Sequence, residues 1–341
     1  MADGTGISWT DATWNPVRGC SRMSEGCRNC YAERVAARFS DPGMPYHGLA
    51  RRVLKTAGAS QPRWTGDVRM VHEHLADPLR WRKPRRIFVN SMSDVFHEKL
   101  TNEQIAAVFG VMAAAPQHTF QVLTKRAKRM REWFEWMSLE ENFSPNATMH
   151  VEAAPDIDDD DDNTICERIL DADWPLPNVW LGVSVESQTA ADERIPELLA
   201  TPAAVRFLSC EPLIERVNLC HLDNDAVGGE WCQVNGLTGE QTDMGRPCPS
   251  LVNRIDWVIA GCESGPGARP CDVDWLRSLR DQCTAAHVPF FLKQAVEQAV
   301  ERAASIDAIV MGTGSKRKGC GLIELPYLDG VQHADFPRER A

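Results

Sequence analysis

Three cysteines near the N-terminus, Cys20, Cys27 and Cys30, lie within eleven residues in a C-x6-C-x2-C spacing. Gly19 and Gly26 each precede one of these cysteines, and glycine allows the backbone bends that such a loop needs. Cys27 and Cys30 are three positions apart, so both sulfurs can reach one metal centre. Three thiolates suit an iron–sulfur cluster with one iron left open, or a zinc site completed by a fourth ligand.

The residues that follow the last thiol, 31–39, are rich in Ala, Glu and Arg and predict a helix. The free N–H groups at its amino end favour a thiolate and a negatively charged cluster. No Cys or His lies near enough in the sequence to be an obvious fourth ligand, whereas structural zinc sites close with four. We therefore favour an open metal site. The spacing alone does not decide between cluster and zinc, and buried inert thiols are the simplest alternative.

Short apolar runs recur along the chain and predict strands, each followed by a helical pattern. The runs cover 86–90, 119–123, 179–185, 204–209, 255–260 and 288–292, with a first strand near 14–18. Their nearly continuous apolar character is typical of parallel strands that are buried on both faces. The pattern predicts an α/β fold, a TIM-like parallel (β/α) barrel, complete or partial, forming one domain over residues 1–341.

Helix signals support this alternation. Thr101 and Gln104 form a capping box before an apolar face that includes Ile105, and Asp272 caps a helix that contains Trp275. A further helix is predicted over 188–200. No G-x-G-x-x-G follows the first strand and no G-x-x-x-x-G-K-[ST] occurs, which argues against an open dinucleotide-binding sheet.

Two connections are too long for simple crossovers and predict insertions. The first, about 138–176, contains an aspartate run at 158–162 and predicts a disordered or peripheral loop. The second, about 218–253, contains four residues that can bind zinc in a spacing that fits no standard finger: Cys220, His221, Cys232 and Cys248. Residues 305–341 predict a C-terminal extension that packs across the barrel end.

Polar side chains close the apolar runs. Since functional groups of parallel α/β barrels lie where strands end, we expect them to share one polar mouth with the cysteine loop. The residues are Asn90, Ser91, Ser93, Asp94, Thr124, Lys125, Arg126, Ser184, Glu186, Ser209, Cys210, Glu211, Cys262, Glu263, Ser264, Lys293 and Gln294.

The composition is that of an ordinary globular protein, with 43% hydrophobic and 25% charged residues among 341. No apolar run approaches the roughly 20 residues that cross a bilayer, and residues 1–8 lack a signal-peptide pattern. We therefore expect a cytoplasmic protein with reduced thiols and no membrane partner.

The formal net charge is −11, yet basic residues cluster beside aromatic ones in two strips. The first strip covers 80–86 around Trp81, and the second covers 125–131 and is followed by Trp133, Phe134 and Trp136. Each strip is either a solvated face or a surface that contacts nucleic-acid phosphates and stacks bases.

The chain resembles a known family in several blocks. The run around the cysteines, 13–32, is similar to the three-cysteine family first named from phage gene products thirty-seven and sixty-eight, which is radical-SAM-like. The likeness continues through 88–96, 122–126, 181–186, 207–213, 257–265 and 289–294, so it covers most of the chain. Three features differ: Cys262 replaces a glycine of the family, the cysteine loop is longer than C-x3-C-x2-C, and Asn29 stands where radical SAM enzymes place an aromatic residue.

The resemblance implies a barrel of the radical SAM type and a [4Fe-4S] cluster on Cys20, Cys27 and Cys30, with S-adenosyl-L-methionine (AdoMet) at the open iron. It also implies a separately encoded partner protein. The residues that it places around AdoMet are Ser91, Ser93 and Asp94 near the amino group and Ser184 and Glu186 near the ribose. The residues that it places toward the substrate are Glu211, Glu263 and Lys293.

We therefore expect a radical-SAM-like [4Fe-4S] enzyme that acts on a nucleic acid or a nucleotide. One alternative is a non-catalytic metal-binding module that recognises nucleic acid. Another is a zinc-dependent hydrolase, which the lack of a His-rich ligand set disfavours.

Overall fold

The computed structural model describes residues 5–54, 60–139, 144–157, 164–223, 232–243, 246–247, 252–265, 267–296, 322–324 and 326–337. The chain groups into two compact units, Met1–Trp180 and Leu181–Ala341. Parallel strands alternate with helices in each unit, so the predicted mixed α/β class is confirmed, and this alternation is the one expected of a partial TIM-like barrel. The single domain over residues 1–341 stays a prediction.

The described part of the first unit contains a parallel sheet, two short antiparallel ribbons and five α-helices. Its strands are β1 (Ala12–Trp14), β2 (Val17–Arg18), β3 (Ala50–Leu54), β4 (Ser60–Trp64), β5 (Arg69–Met70), β6 (Arg86–Val89) and β7 (Thr119–Thr124). Its helices are α1 (Tyr31–Ala36), α2 (Asn102–Ala114), α3 (Ala127–Met137), α4 (Pro145–Ala153) and α5 (Thr164–Leu170). The parallel strands pair in the order β1-β6-β7, and the ribbons are β2-β5 and β3-β4.

The first predicted strand, 14–18, is wrong in its bounds. The strand that joins the parallel sheet is β1, and Pro16 separates it from β2, which pairs with β5 instead. Proline lacks the N–H that a continuing ladder needs, so the chain leaves the sheet here. The departure directs residues 17–20 away from the sheet, toward the cysteine loop.

Helix α2 begins with the predicted capping box, because Gln104 N–H donates to Thr101 Oγ1 (3.3 Å) and Thr101 N–H donates to Gln104 Oε1 (3.1 Å). The helix is buried on more than its predicted face, since every residue from 105 to 114 is buried. Helix α4 explains this, because a Cβ at Gly110 would lie 2.6 Å from the Met149 carbonyl oxygen. Glycine therefore allows the two helices to approach closely.

The insertion at 138–176 is thus not a disordered or peripheral loop throughout. Its residues 144–157 and 164–170 form α4, a short 3₁₀ turn and α5, and α4 packs on α2. The aspartate run 158–162 lies outside the described residues. Apolar positions of α4, Met149 and Ala153, are fully buried, which gives the insertion a share of the core that composition alone did not indicate.

The second unit has the strands β8 (Val179–Ser184, which starts at the end of the first unit), β9 (Val205–Cys210), β10 (Leu222–Asp223), β11 (Cys232–Val234), β12 (Gln241–Asp243), β13 (Arg246–Pro247), β14 (Trp257–Gly261), β15 (Phe290–Val296), β16 (Leu322–Glu324), β17 (Tyr327–Leu328) and β18 (Val331–Gln332). The helices among its described residues are α6 (Gln188–Ala200) and α7 (Val273–Ala285). The main sheet has the order β8-β9-β14-β15-β16, in which only β16 is antiparallel. The second insertion forms the antiparallel sheet β10-β11-β12-β13.

The described part of the C-terminal extension pairs with other elements of the second unit. Strand β16 pairs with β15, a hairpin joins β17 and β18, and Ala334 bridges Phe291. Residues 305–321 lie outside the described residues. At the hairpin turn, Asp329 accepts hydrogen bonds from Arg277 (2.7 Å) and Arg280 of α7. This ion-paired contact is one that neither strand nor helix periodicity predicts.

The Asp329→Asn substitution tests this anchor. Asn tolerates the left-handed backbone of this position (φ 51°) as Asp does, so only the charge is lost. We expect the free energy of unfolding to fall by about 1 kcal/mol at pH 7, a small value because the side chain is partly exposed. Arg277 and Arg280 lower the pKa of Asp329 to about 2, from 3.8. The difference between wild type and variant is therefore present above pH 3.8 and disappears as pH falls toward about 2.

Urea unfolding followed by circular dichroism at several pH values measures this difference. Asp335→Asn is the matched control, since this exposed carboxylate of the same segment has no ion pair among the described residues. Equal stabilities of the two variants would contradict the anchor.

Candidate functional site

The cysteine loop leaves β2 through Gly19, whose backbone only glycine adopts readily. Its φ is +94°, and a Cβ at this position would lie 2.2 Å from the Asp67 carbonyl oxygen. Gly19 also forms a parallel bridge with Ser93, just after β6. The loop is therefore fixed at its start by a close backbone contact on one side and a strand end on the other.

The other end of the loop leads into α1. Glu25–Cys27 form a 3₁₀ turn, and Cys30 precedes α1 directly, as the sequence predicts. Helix α1 is short, and a 3₁₀ turn extends it to Phe39. Cys20 and Cys30 pack against one apolar cluster whose members are Ala32, Ala36, Ala37, Tyr46, Leu49, Ala50 and Trp64. Two of the three cysteines thus pack against the same apolar cluster.

A buried carboxylate, that of Glu33, connects the middle of the loop to the elements of this apolar cluster. Glu33 on α1 is 1% exposed and receives hydrogen bonds from Arg22 in the loop, including one of 3.1 Å from Nε. It also accepts from the backbone N–H of Trp64 (2.9 Å). Because a charge-assisted, bidentate pair has a defined geometry, Glu33 fixes the segment between Cys20 and Cys27.

Arg126 joins the cysteine loop to the ends of two strands. Its Nη1 donates to Asp94 Oδ2 (3.0 Å) and lies 4.0 Å from Cys20 Sγ, and its Nε donates to Glu98 Oε1 (2.8 Å). Asp94 accepts in addition from Thr124 Oγ1 (2.8 Å). Arg126 and Asp94 are both buried, so this is an ion pair with little solvent screening.

Ser21, next to Cys20, completes the network. Its hydroxyl accepts from Arg126 Nη2 (2.7 Å) and is 3.0 Å from His97 Nε2. His97 Nδ1 accepts from the Lys99 N–H (3.2 Å), so Nε2 carries the proton and donates to Ser21. Burial and the nearby Arg126 lower the pKa of His97, which keeps the ring neutral at pH 7.

The donor chemistry of the three cysteines fits a sulfur-ligated metal group. Burial raises the pKa of Cys20 to about 12, Asp94 adds to the rise, and Arg126 opposes it. The negative charges of Cys30 and Cys27 also raise the pKa of Cys20. Within the described ranges, however, no group of three or more His, Cys, Asp or Glu side chains is arranged to hold a metal ion.

The predicted AdoMet residues of the first unit surround this loop but bond to protein atoms. Ser91 Oγ donates to Asn15 Oδ1 (3.2 Å), and Ser93 Oγ donates to the Val17 carbonyl oxygen (2.8 Å). Asp94 is occupied by Arg126 and Thr124. The structure therefore brings these three residues to the cysteines, where all three support the backbone.

The remaining predicted site residues belong to the second unit, where carboxylates at strand ends have cationic partners. Glu186 is 1% exposed and accepts from Arg194 (2.9 and 3.2 Å), which also donates to the Ser184 carbonyl oxygen (2.7 Å). Glu263 is likewise paired with Arg269 (2.7 Å). Each pair is a salt bridge in a largely buried position and stiffens the segment after its strand.

Glu211 and Lys293, both predicted to face substrate, are brought together at 3.1 Å. Glu211 follows β9 directly and lies against Gly261, where an added Cβ would be 2.6 Å from Oε1. Oε1 of Glu211 is buried and has no hydrogen bond of good geometry, although the Lys293 ammonium is near it. Of the predicted catalytic residues in this unit, this pair is the one that retains unused hydrogen-bonding capacity.

Comparisons with known proteins give one family. A family model described as "Protein of unknown function (DUF5131)" matches residues 4–337. The chain belongs to this family. No curated protein and no solved structure matched it.

The two basic strips differ in this DUF5131 protein. In the second strip, Trp133 and Phe134 are buried in an aromatic cluster with Phe109, and Arg126 is 4% exposed. The prediction that Trp133 and Phe134 stack bases is therefore wrong, because α3 turns its aromatic face inward. In the first strip, Arg82 and Lys83 are exposed and Arg85 lies over the Trp81 ring at 5.1 Å.

The second candidate ligand set falls partly outside the described chain. Cys248 lies outside the described residues, and of Cys232 only the backbone is described. Cys220 is half-buried, and burial raises the pKa of its thiol. Zinc binding by these residues stays a prediction. No helix in the described part is long and apolar enough to cross a membrane.

Sequence reasoning missed the residues that support the cysteine loop: Ser21, Arg22, Glu33, His97 and Glu98. One signal was available, since Asp94, His97 and Glu98 lie within five positions of one another, after a predicted strand end. The sequence places Arg126 both in a basic strip and among the strand-end residues, but it does not identify Asp94 as its partner. The burial of Arg126 could not be predicted from composition, because an arginine in an exposed basic run and an arginine in a buried ion pair look the same in the sequence.

Arg126→Gln tests the buried pair. Removing the cation leaves Asp94 buried and uncompensated, and such losses lower the free energy of unfolding by about 3–5 kcal/mol. Urea unfolding measures the change. Lys128→Gln, at an exposed position of the same helix, is the control and should stay within about 0.5 kcal/mol of wild type. The double variant Asp94→Asn with Arg126→Gln should recover part of the loss. A variant of Arg126 as stable as that of Lys128 would show that the pair contributes nothing.

Proposed function

We propose that this protein is an iron–sulfur protein of the radical-SAM-like kind, with a [4Fe-4S] cluster on Cys20, Cys27 and Cys30, that acts on a nucleic acid or a nucleotide. The observation that carries the proposal is the cysteine loop itself. Three cysteines lie within eleven residues, in a loop fixed at Gly19, at Glu33 and at Arg126. A loop built only to bury three inert thiols needs no buried cation beside one of them.

The residues around the loop have distinct roles in this proposal. When bound, the cluster supplies the electron for reductive cleavage of AdoMet. Arg126, 4.0 Å from Cys20 Sγ, offsets negative charge on that sulfur and orients the segment at Ser21. Glu33 and Arg22 restrain the turn that precedes Cys27. Because the three sulfurs do not form a ready ligand group, metal binding includes their convergence.

Glu211 and Lys293 are the proposed substrate-facing groups. The Lys293 ammonium lies 3.1 Å from the buried Oε1 of Glu211, which has no hydrogen bond of good geometry. A substrate would contact the pair through Lys293, whose side chain is 21% exposed. A separately encoded partner protein belongs to the same proposal through the resemblance, and a cytoplasmic location belongs to it through the sequence, which has no signal-peptide pattern in residues 1–8 and no long apolar run.

A second candidate is a metal-binding module that recognises nucleic acid without catalysis. One observation favours it: Asp94 and Glu186, expected to contact AdoMet, are each engaged with a buried arginine. Carboxylates in such pairs are less available to an exogenous ligand, because losing the pair leaves an uncompensated charge. The two candidates share the cluster and differ in AdoMet chemistry.

The cluster is tested first. Protein purified and reconstituted without oxygen should contain about four iron and four sulfide per chain. Replacing Cys20, Cys27 or Cys30 by Ala should abolish the visible absorbance band and the bound iron. Cys166→Ala, at a half-buried cysteine in the same unit, is the control and should retain both. Stoichiometric zinc without iron after anaerobic handling would refute the iron–sulfur assignment.

AdoMet cleavage separates the two candidates. Reduced, reconstituted protein should slowly form 5′-deoxyadenosine from AdoMet without substrate, because an AdoMet bound at reduced iron can accept an electron. Chromatography with and without dithionite measures the product, and the Cys27→Ala variant should form none. An intact cluster with no calorimetric AdoMet binding and no deoxyadenosine at any reductant concentration would favour the non-catalytic candidate.

A further inference from the structure

A cavity of about 360 Å³ in the first unit lies beside β1, at the outer side of this edge strand. The residues that give it its chemistry are Asn15, Arg18, Tyr46, His74, Trp81 and Arg85. Its volume falls within the range of about 300–1,000 Å³ found for small-molecule sites. Its wall contains Trp81 and Arg85 of the first basic strip, which is therefore more than a solvated face.

Two arginines on two aromatic rings dominate the wall. The Arg18 guanidinium lies 5.8 Å from the centroid of Tyr46, and the Arg85 guanidinium lies 5.1 Å from that of Trp81. Arg18 has no carboxylate partner among the residues that the structure describes. A guanidinium held against a ring keeps its hydrogen-bonding fork oriented, and that fork matches a phosphate.

The opposing charge in the cavity is small. Asp77 is the one carboxylate among the described lining residues, and it is paired with His74 (3.0 Å) and Arg80 (3.4 Å). The cavity wall is therefore cationic in a chain whose formal net charge is −11. The protein as a whole repels anions. An anion would therefore bind at this cavity because of its local positive charge, and not because of a general basic surface.

Asn15 adds a directional donor. Its Oδ1 accepts hydrogen bonds from Ser91 Oγ (3.2 Å) and from the Met92 N–H (3.0 Å), which fixes the orientation of the amide. Its Nδ2 donates to no residue in the described ranges and is left for a ligand acceptor. Rings, guanidiniums and an amide donor together match an aromatic base that carries a phosphate.

We propose that this cavity binds a nucleotide, with the phosphate on Arg18 and the base against Trp81. The inference deepens the proposed function and rests on it for the reaction, although nucleotide binding itself needs none of the three cysteines. The same chemistry is offered by a free mononucleotide and by one unit of a single strand. In the second case Arg82 and Lys83, exposed next to Trp81, contact the neighbouring phosphates.

Calorimetry with metal-free, chelator-treated full-length protein tests the proposal. The probes are adenosine and uridine 5′-monophosphates, the matching nucleosides, inorganic phosphate and an eight-nucleotide oligothymidine. Arg18→Gln should weaken nucleotide binding about ten- to a hundredfold, because it removes a charge-assisted hydrogen-bonding group. Trp81→Ala should weaken it about five- to a hundredfold through lost stacking. Arg38→Gln, at an exposed arginine of the same unit, should change nothing.

Tighter binding of the mononucleotides than of the oligonucleotide supports a free nucleotide ligand. Tighter oligonucleotide binding, with a log–log salt slope of about −0.7 per phosphate and a loss on replacing Arg82 and Lys83, supports a single strand. Either result upholds the site. No binding of any nucleotide probe, equal effects of Arg18→Gln and Arg38→Gln, or phosphate binding as tight as nucleotide binding would overturn it. Because the cluster is absent from this assay, its failure leaves the iron–sulfur assignment untouched.

Discussion

The buried pair of Asp94 and Arg126 is the interaction on which the first unit's site depends. Arg126 lies between β7 and α3, Asp94 follows β6, and Cys20 follows the ribbon strand β2. One guanidinium therefore joins three chain segments that are distant in sequence. Its donors reach Asp94, Glu98, Ser21 and the Cys20 sulfur, so its hydrogen-bonding capacity is used inside the protein. A lysine in its place could not make these contacts at once.

The second unit repeats this arrangement with other residues. Glu186 with Arg194, and Glu263 with Arg269, close strand ends with carboxylate–guanidinium pairs. Buried pairs of this kind add little net stability but make a change of conformation costly, since separating them exposes an uncompensated charge. The strand ends are thus a rigid frame. The proposed function uses the thiols of the cysteine loop in the first unit and the pair of Glu211 and Lys293 in the second.

The cysteine loop and the nucleotide cavity use neighbouring parts of the chain. Arg18 lines the cavity and is two residues before Cys20, while Asn15 bonds to Ser91 beside the loop. Gly19, whose φ is positive, lies between Arg18 and Cys20, and the chain turns there from the cavity to the cysteine loop. A ligand that orders Arg18 would therefore act close to the first thiol, which gives the proposed iron–sulfur chemistry and the proposed nucleotide a shared structural element.

The sequence by itself determined the strand–helix alternation, the capped helices α2, α6 and α7, and the clustering of three thiols. These features are local, since periodicity and caps depend on residues a few positions apart. Tertiary structure decided which charges turn inward. Arg126 pairs inside although it belongs to a basic run, and Arg18 lines a cavity although nothing near it marks it as special. Burial of a charge depends on a partner that is remote in sequence, such as Asp94 for Arg126, and only the folded chain supplies that partner.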